Sequence, residues 1–223
     1  MLVAFEGIDG SGLSTHSRLA VDRLSSMGFR SCLWKEPTRG PIGLLIRSLL
    51  KGSGASHEVI ALLFAADRMW GIDNIECCGV RGLKNALSEG CIVVFDRYKY
   101  SSLAYQGALT GDMEWVANIN SKTPEADAII FIDVPIEVSM RRVKARGSRE
   151  AFERPEVLSL VREAYDFVLR EAERKGVEVY RVKGVTPDGE ERSIDDVSRE
   201  IVGYILSLAS RLGLEPEPRR QRS

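Results

Sequence analysis

The sequence lacks long apolar runs, and its charges almost cancel. It contains no run of about 18 apolar residues, the minimum for a membrane-spanning helix, so no membrane partner is expected. The formal net charge of −1 argues against an extended nucleic-acid-binding surface, although it leaves room for a local basic site. An apolar segment begins at residue 2, where a signal peptide would have a charged region. These features predict a cytoplasmic protein.

Cysteine and histidine are also scarce. The four cysteines, Cys32, Cys77, Cys78 and Cys91, show no paired C-x-x-C spacing, and two of them are adjacent. This pattern predicts neither a zinc site nor a disulfide framework, and small buried thiols are the simpler interpretation. Of the two histidines, His16 lies in a predicted helix, where a surface or capping position suffices. No catalytic role is assigned to either.

A glycine-rich segment near the start is the strongest motif. An apolar strand at 2–5 leads into Gly7-Ile8-Asp9-Gly10-Ser11-Gly12, and an amphipathic helix follows. Strand, glycine loop and helix together form a phosphate-binding loop, because backbone N–H groups and the helix dipole converge on an anion. The expected phosphate-binding residues are Gly7, Gly10, Ser11, Gly12, Leu13, Ser14 and Thr15. The spacing is that of a P-loop, except that Leu13 replaces the usual lysine.

The rest of the chain alternates apolar strand segments with helical patterns. Further strands are predicted at 29–34, 91–95, 128–132 and 177–182. Such alternation is typical of a five-stranded parallel sheet covered by helices on both faces, a three-layer α/β/α fold. Segment 69–78 is ambiguous, since a kink or one interrupted helix running to Leu87 would fit it. We expect one domain over 1–213 and a disordered tail at 214–223, which is rich in proline and arginine.

Polar side chains gather where these strands end. Asp96 and Arg97 follow the strand at 91–95, where a carboxylate suits Mg²⁺ and a guanidinium suits phosphate; the alternative is an ordinary salt bridge between them. Phe64 and Arg68 are neighbours on one helical face, although a core phenylalanine and a solvated arginine would also explain them. The residues available to stack on or hydrogen-bond a planar ligand are Tyr100, Ser101, Ser102, Tyr105 and Gln106.

A basic segment follows the fourth strand. A helix from Ile136 carries Arg141, Arg142, Lys144 and Arg146, and Gly147 interrupts it before Arg149 and Arg154. This pattern favours a mobile arginine-rich lid at about 146–155 that brings positive charge over phosphates. A solvated helix face would account for Arg141 and Lys144, but less well for Arg146, Arg149 and Arg154.

These segments together resemble the thymidylate kinase family of P-loop nucleoside monophosphate kinases. The resemblance covers nearly the whole chain. Its blocks are Phe5-Glu6-Gly7-Ile8-Asp9-Gly10-Ser11-Gly12, Glu36-Pro37-Thr38-Arg39-Gly40, Leu63-Phe64-Ala65-Ala66-Asp67-Arg68, Asp96-Arg97-Tyr98 with Ser101 to Gly107, and Asp133-Val134-Pro135. It implies a P-loop kinase fold, a homodimer, and transfer of the γ-phosphoryl of ATP–Mg²⁺ to thymidylate (dTMP), giving dTDP for dTTP synthesis.

The resemblance also implies roles for single residues. In family terms Asp9 would meet the sugar 3′-hydroxyl, Phe64 would stack on thymine and Arg68 would bond the base edge. Tyr105 would exclude a 2′-hydroxyl, with Ser101 and Gln106 beside it. The acceptor phosphate would lie on Arg39 and Arg97, and the magnesium near Asp96, Glu36 and Ser14. Since the phosphate loop has no arginine, the catalytic arginine would come from the lid, as Arg146, Arg149 or Arg154.

Leu13 limits what the resemblance implies, because leucine offers no hydrogen-bond donor to the moving phosphoryl group. Losing one such donor costs roughly 10²- to 10³-fold in rate. Three hypotheses are compatible with Leu13. The protein is a working kinase in which another cation, such as a lid arginine or Lys99, replaces the lysine, or it is a nucleotide-binding pseudokinase or regulatory subunit. The third is that Leu13 is a laboratory substitution. A kinase for another nucleoside monophosphate is a weaker alternative, opposed by Phe64, Arg68 and Tyr105.

Overall fold

A computed structural model describes residues 1–52, 54–145 and 154–217. The strands are β1 (Leu2–Glu6), β2 (Ser31–Lys35), β3 (Glu76–Cys77), β4 (Val80–Arg81), β5 (Ile92–Asp96), β6 (Ala128–Asp133) and β7 (Glu178–Lys183). The helices are α1 (Leu13–Ser26), α2 (Pro41–Lys51), α3 (His57–Asn74), α4 (Leu83–Ser88), α5 (Lys99–Thr110), α6 (Met113–Ile119), α7 (Ile136–Ala145), α8 (Pro155–Arg174) and α9 (Ile194–Arg211). None of the helices in this part of the chain is both long and apolar enough to cross a bilayer.

Five strands form one parallel sheet in the order β2-β5-β1-β6-β7. The three central strands are almost wholly buried, as strands covered by helices on both faces must be. Leu2 lies opposite Val93, and Val3 lies opposite Ala128. The predicted five-stranded parallel sheet is therefore confirmed. Its strands end at one edge, where β1, β2 and β5 deliver Glu6, Lys35 and Asp96.

Segment 69–87 differs from either sequence interpretation. Helix α3 ends at Asn74, and a two-stranded hairpin, β3–β4, separates it from α4. The two turn residues, Cys78 (φ 55°) and Gly79 (φ 77°), both have positive φ, the conformation that tight two-residue hairpins require. Strands of two residues carry too little periodicity to be recognised in the sequence, so the hairpin was missed.

The prediction of four separate thiols is wrong for two of them. Cys32 on β2 and Cys77 on β3 form a disulfide, while Cys78 and Cys91 are free. The hairpin packs beside the edge strand β2 and so joins cysteines that are 45 residues apart, a pairing that spacing cannot reveal.

Two further expectations differ from the structure. His16 is buried rather than at the surface, with its Nδ1 3.4 Å from the Ser198 hydroxyl of α9, because α9 packs over this face of α1. Residues 214–217, assigned to a disordered tail, instead contact the domain: Leu214 packs on the core, and the Glu217 N–H donates to the Gly28 carbonyl at 2.9 Å. Residues 218–223 lie outside the described residues.

Candidate active site

A cleft of about 420 Å³ opens at the carboxyl ends of β1, β2 and β5. Such crevices are the usual ligand sites of open parallel sheets. The glycine loop, the end of β2, helix α3 and the start of α5 form its walls. Lining residues that the sequence singled out are Asp9, Gly10, Ser11, Gly12, Leu13, Ser14, Glu36, Phe64, Arg68, Asp96, Arg97, Ser101, Tyr105 and Gln106.

The glycine loop is tightly packed from behind. A Cβ atom on Gly10 (φ 79°) would come within 2.6 Å of the Ser139 carbonyl oxygen, and one on Gly7 would come within 2.8 Å of the Ile132 carbonyl oxygen. Only glycine fits both positions. Helix α1 begins directly after Gly12 (φ 102°), so the N–H groups of Leu13 and Ser14 lack the acceptor of a preceding turn, whereas those of Thr15 and His16 donate to the Gly12 carbonyl. The loop therefore has the backbone geometry that binds phosphate.

The carboxylate of Asp96 lies at the foot of this loop. Asp96 is 1% exposed, and its Oδ2 accepts hydrogen bonds from Ser14 Oγ at 2.6 Å and Lys35 Nζ at 2.7 Å. Lys35 Nζ also lies 2.5 Å from Ser14 Oγ. A cation thus already contacts the carboxylate and the hydroxyl that the sequence assigned to magnesium.

Arg97 pairs with Asp9 and not with its chain neighbour Asp96. Its Nη2 is 2.6 Å from Asp9 Oδ1, and its φ of 72° turns it across the cleft. The Tyr105 hydroxyl donates to Asp9 Oδ2 and accepts from the Asp9 N–H, both at 3.0 Å. Burial and the nearby Asp9 carboxylate raise the pKa of Tyr105 above its ordinary value, so the hydroxyl keeps its proton.

Arg68 forms a buried ion pair with Glu36, with 1% and 2% of the two side chains exposed. Its Nε and Nη2 contact the carboxylate at 2.5 to 3.0 Å, and it also donates to Ser102 Oγ and Asn120 Oδ1. Burial raises the pKa of Glu36 to about 7 even though Arg68 opposes the rise. The solvated-arginine alternative is therefore wrong, whereas Phe64 is half-buried and lines the cleft.

Glu6, to which the sequence assigned no role of its own, anchors the region between β1 and α5. This carboxyl group is fully buried and accepts hydrogen bonds from Ser101 Oγ at 2.5 Å, Tyr165 OH at 2.9 Å and the Tyr98 N–H at 2.9 Å. Burial raises its pKa to about 7, although these donors oppose the rise. The Ser101 hydroxyl also accepts from Arg97 Nη1 at 3.1 Å, so this network fixes the arginine of the cleft.

The described part of the basic segment lies behind the glycine loop. Arg141 and Arg142 on α7 both pair with Glu191, and Arg142 Nη1 donates to the carbonyls of Gly10 and Ser11 at 3.2 Å. Arg154 is exposed at the start of α8. Arg146 and Arg149, with lid positions 146–153, lie outside the described residues.

Some expected residues do not reach the cleft. Arg39 is exposed, and neither Arg39 nor Thr15 lines the cleft; Gly7 shapes the loop from behind. Lys99, offered as a replacement cation, is 5% exposed and bonds the Thr123 carbonyl at 3.1 Å and Glu125 Oε1 at 2.9 Å, away from the cleft. Sequence reasoning missed Lys35, whose position at the end of a strand, just before Glu36-Pro37, was the available signal.

A parallel sheet with a glycine phosphate loop between β1 and α1 defines an α/β fold of the P-loop kinase class. The thymidylate kinase family model matches residues 5–182. The chain is 53% identical over 208 residues to a protein of Aeropyrum pernix named as a thymidylate kinase, covering 92% of this chain and 95% of that protein. Similarly named proteins of Pyrococcus horikoshii and Methanococcus aeolicus are 37% and 36% identical, covering 91% and 92% of this chain and 94% and 95% of theirs. The chain belongs to the thymidylate kinase family, a family of phosphotransferases.

Proposed function

We propose that the protein is a thymidylate kinase that transfers the γ-phosphoryl group of ATP to dTMP and forms dTDP. The observation that carries the proposal is the presence of two complementary half-sites in one cleft of a chain from this family. One half is the glycine loop with Ser14 and Asp96, and the other is the wall that carries Asp9, Phe64 and Arg97.

The second half-site suits a deoxynucleotide. Phe64 offers a half-buried ring for base stacking. Arg68 uses four of its five N–H groups on Glu36, Asn120 and Ser102, so one Nη1 hydrogen remains to bond a base edge. The hydroxyl of Tyr105 holds the Asp9 carboxylate in place for the sugar 3′-hydroxyl. Arg97 would hold the acceptor phosphate.

A magnesium ion fits the first half-site. The carboxylate of Asp96 and the hydroxyl of Ser14 are the oxygen donors that Mg²⁺ prefers, and the ammonium group of Lys35 stands where the positive charge of the ion is needed. Glu36 is a weaker candidate ligand because Arg68 already engages its carboxylate. When bound, Mg²⁺ neutralises phosphate charge that develops during transfer.

Phosphoryl transfer asks the protein mainly for positioning and charge neutralisation, so no nucleophilic side chain is needed. Backbone N–H groups of Gly10 and of residues 12–14 would hold the donor phosphates, since the Ser11 N–H already donates to the Ile8 carbonyl. Arg146, Arg149 and Arg154 remain the proposed lid arginines. The resulting reaction needs ATP and Mg²⁺ as cofactor and dTMP as substrate.

A second candidate function follows from Leu13. Its aliphatic side chain carries no charge and no hydrogen-bond donor, and it is 5% exposed and packs in the core. Without a substitute cation, the protein would bind nucleotides with little turnover and act as a regulatory subunit.

One assay separates these functions. The protein is incubated with ATP–Mg²⁺ and dTMP, dUMP or dGMP in turn, and diphosphate formation is measured beside a calorimetric titration of each ligand. The proposal expects turnover that favours dTMP over dUMP by about 10-fold or more, since one methyl group in an apolar pocket gives discrimination of that size. Tight dTMP binding without turnover would support the regulatory protein, and a preference for dGMP would overturn the substrate assignment.

A pair of variants shows whether the activity belongs to this cleft. Asp96→Asn removes the proposed metal ligand and is expected to abolish most turnover. Asp166→Asn changes an exposed aspartate of α8 that pairs with Arg181, and it serves as the matched control. Equal activity in the two variants would contradict the proposed site.

We also propose a homodimer, in keeping with the family. Helices α2 and α3 expose an apolar surface made of Leu44, Leu45, Val59, Leu62 and Met69, which are 38% to 60% exposed. Burying such a surface against a second copy is favourable. Sedimentation of the parent protein and of Leu62→Glu tests this: the parent should sediment as a dimer and the variant as a monomer, whereas a monomeric parent would overturn it.

A further inference from the structure

Lys35 is a positively charged residue of the cleft that lies outside the phosphate-loop motif. Among the described residues that line the cleft, Lys35, Arg47, Lys51, Arg68 and Arg97 carry positive charge. Arg68 and Arg97 are paired with carboxylates of the second half-site, and Arg47 donates to the carbonyls of Pro37 and Thr38. Lys35 instead contacts Ser14, the residue that follows Leu13 in the phosphate loop.

The setting of Lys35 allows it to move onto a phosphate. It is the last residue of the edge strand β2, and its side chain is 53% exposed, so its four-carbon stem can swing. Its partner Asp96 is only 2% exposed by side chain and stays fixed at the end of β5. A divalent cation on Asp96 and Ser14 would repel the ammonium group, and the nearest negative charge would then be the phosphates of the nucleotide.

We propose that Lys35 supplies the positive charge that the phosphate loop lost at residue 13. The proposal rests on the proposed kinase function: when ATP–Mg²⁺ binds, the Lys35 ammonium leaves Asp96 and Ser14 and contacts the phosphoryl group in transfer. No bond of Lys35 is made or broken, so it acts as a point charge. Lysine is well suited to this because its ammonium binds phosphate without a fixed fork geometry.

A double-substitution cycle tests the exchange of roles. Lys35→Met in the parent is expected to lower kcat by roughly 10²- to 10³-fold, with the KM for dTMP changed by about twofold at most. In a Leu13→Lys background the loop carries its own cation, and Lys35→Met should lower kcat by less than about tenfold. Equal losses in both backgrounds, or no loss in the parent, would overturn the proposal.

Lys183→Met is the matched control. Lys183 is the last residue of β7, the strand at the opposite edge of the sheet, and is exposed like Lys35. Its replacement should leave kcat unchanged. Rescue of Lys35→Met by the added lysine at residue 13 is the readout that a merely structural role would not produce.

Binding measurements keep this proposal separate from the kinase assignment. If the parent turns over no nucleoside monophosphate, the proposed function fails, yet Lys35 should still favour ATP–Mg²⁺ over AMP. Lys35→Met would then weaken ATP–Mg²⁺ binding by about tenfold in the parent and less in the Leu13→Lys background. An unchanged ATP–Mg²⁺ affinity in an inactive parent would overturn the role of Lys35 as well.

A second inference comes from the cysteines, independently of the cleft. The Sγ atoms of Cys77, Cys78 and Cys91 lie within 4.8 Å of one another, and Cys32 is bonded to Cys77. The Cys77 and Cys78 sulfurs are 3.7 Å apart. Zinc–sulfur bonds of about 2.3 Å in a tetrahedron place neighbouring sulfurs about 3.8 Å apart, so these three sulfurs are spaced closely enough to share one metal, and Cys32 becomes a fourth thiol beside them when its bond to Cys77 is reduced.

The backbone and the surrounding charge support such a site. Cys78 occupies a hairpin turn position of φ 55°, where asparagine or glycine is usual, and this turn brings its thiol to Cys91. Arg30 donates to the Cys78 carbonyl at 3.2 Å and offsets negative charge nearby.

We infer that the four cysteines bind one Zn²⁺ ion once the Cys32–Cys77 disulfide is reduced. A dithiol gives two electrons and two protons to the disulfide and becomes a disulfide itself. Four thiols then bind Zn²⁺ and release their protons to solvent. The same residues therefore tie the hairpin to β2 in either redox state, by a covalent bond or by a metal.

The test uses the full chain, reduced by a phosphine, stripped with a chelator and titrated with Zn²⁺ against a coloured chelator. We expect one Zn²⁺ per reduced chain, none per oxidised chain, and the visible bands of tetrahedral thiolate cobalt when Co²⁺ replaces zinc. Cys78→Asn suits the turn backbone and should weaken binding at least about tenfold, whereas Ser31→Ala beside Cys32 should not. A reduced chain that binds no Zn²⁺, or a Cys78→Asn variant that binds like the parent, would overturn the inference.

Discussion

The two walls of the cleft are built in different ways. On the side of α3 and α5, charged groups are paired: the buried Arg68 with Glu36, and the half-buried Arg97 with Asp9. On the side of the phosphate loop, the expected charged side chain is absent at Leu13, and among the described residues the only ammonium contact with the loop comes from the half-exposed Lys35.

The difference indicates how each wall is stabilised. Buried charges are held by several hydrogen bonds each, so the acceptor wall is rigid before any ligand arrives. The loop wall relies on backbone N–H groups fixed by close packing against β6 and α7, and on one mobile cation. The acceptor wall should therefore carry folding stability, whereas the loop wall should carry mainly catalysis.

The largest expected effect is the loss of the buried ion pair. Arg68→Met leaves the Glu36 carboxylate buried without its partner, which should lower the free energy of unfolding by about 3 to 5 kcal/mol at pH 8. Urea unfolding measures this. The double variant Glu36→Gln/Arg68→Met should recover most of the loss, because no unpaired charge remains. A double variant no more stable than the single one would show that the pair is not the cause.

A smaller effect comes from Glu6, which lies between the two walls. Its pKa rises from 4.5 to about 7 in the folded protein. A carboxyl group with a raised folded pKa stabilises the fold fully below pH 4.5, and this contribution is lost as the pH rises through 7. The stability of the parent relative to Glu6→Gln should therefore fall by about 3 kcal/mol between pH 4 and pH 8.

Comparing the parent with the Glu6→Gln variant at each pH cancels the part of the Glu36 titration that does not depend on Glu6; the rise that the Glu6 carboxylate causes in the pKa of Glu36 stays in the difference. A stability difference that stays constant between pH 4 and pH 8 would mean that folding does not raise the pKa of Glu6 above 4.5.

The next effect tests how the acceptor wall is joined to the loop. Tyr105→Phe keeps the ring but removes the hydroxyl that bonds the side chain and the N–H of Asp9. We expect kcat/KM for dTMP to fall about 5- to 10-fold, the equivalent of about 1 kcal/mol. Tyr180→Phe, which removes a β7 hydroxyl that donates to Glu200 on α9, is the control. Equal effects of the two substitutions on kcat/KM would contradict a role of the Tyr105 hydroxyl in the site.

Much of the fold could be predicted because its signals are local. Apolar runs marked all five strands of the sheet. Helix starts are equally local: the Ser193 hydroxyl caps α9 by accepting from the Asp196 N–H three residues later. The hairpin β3–β4 and the disulfide of Cys32 with Cys77 could not be predicted, because they depend on contacts between distant segments.

The sequence predicted which residues line the cleft, but not which of them form ion pairs with one another. Motif positions placed Asp9, Asp96 and Arg97 in one cleft, yet nothing in their spacing says that Arg97 turns to Asp9 while Lys35 turns to Asp96. The solvated interpretation of Arg68 failed because its partner Glu36 is on a different element. Pairings of this kind are decided by the packing of the sheet and helices around the cleft.

The smallest expected effect is the sharpest test of the contrast between the walls. Lys35→Met removes a cation that is 53% exposed, so water screens its interaction with the buried Asp96, and ion pairs screened in this way contribute about 1 kcal/mol or less to stability. Asp96 keeps its hydrogen bond from Ser14, so it is not left without a partner. Urea unfolding should therefore barely distinguish this variant from the parent, while its kcat falls sharply. A loss of stability close to that of Arg68→Met would show that the loop wall is fixed by charge in the same way as the acceptor wall.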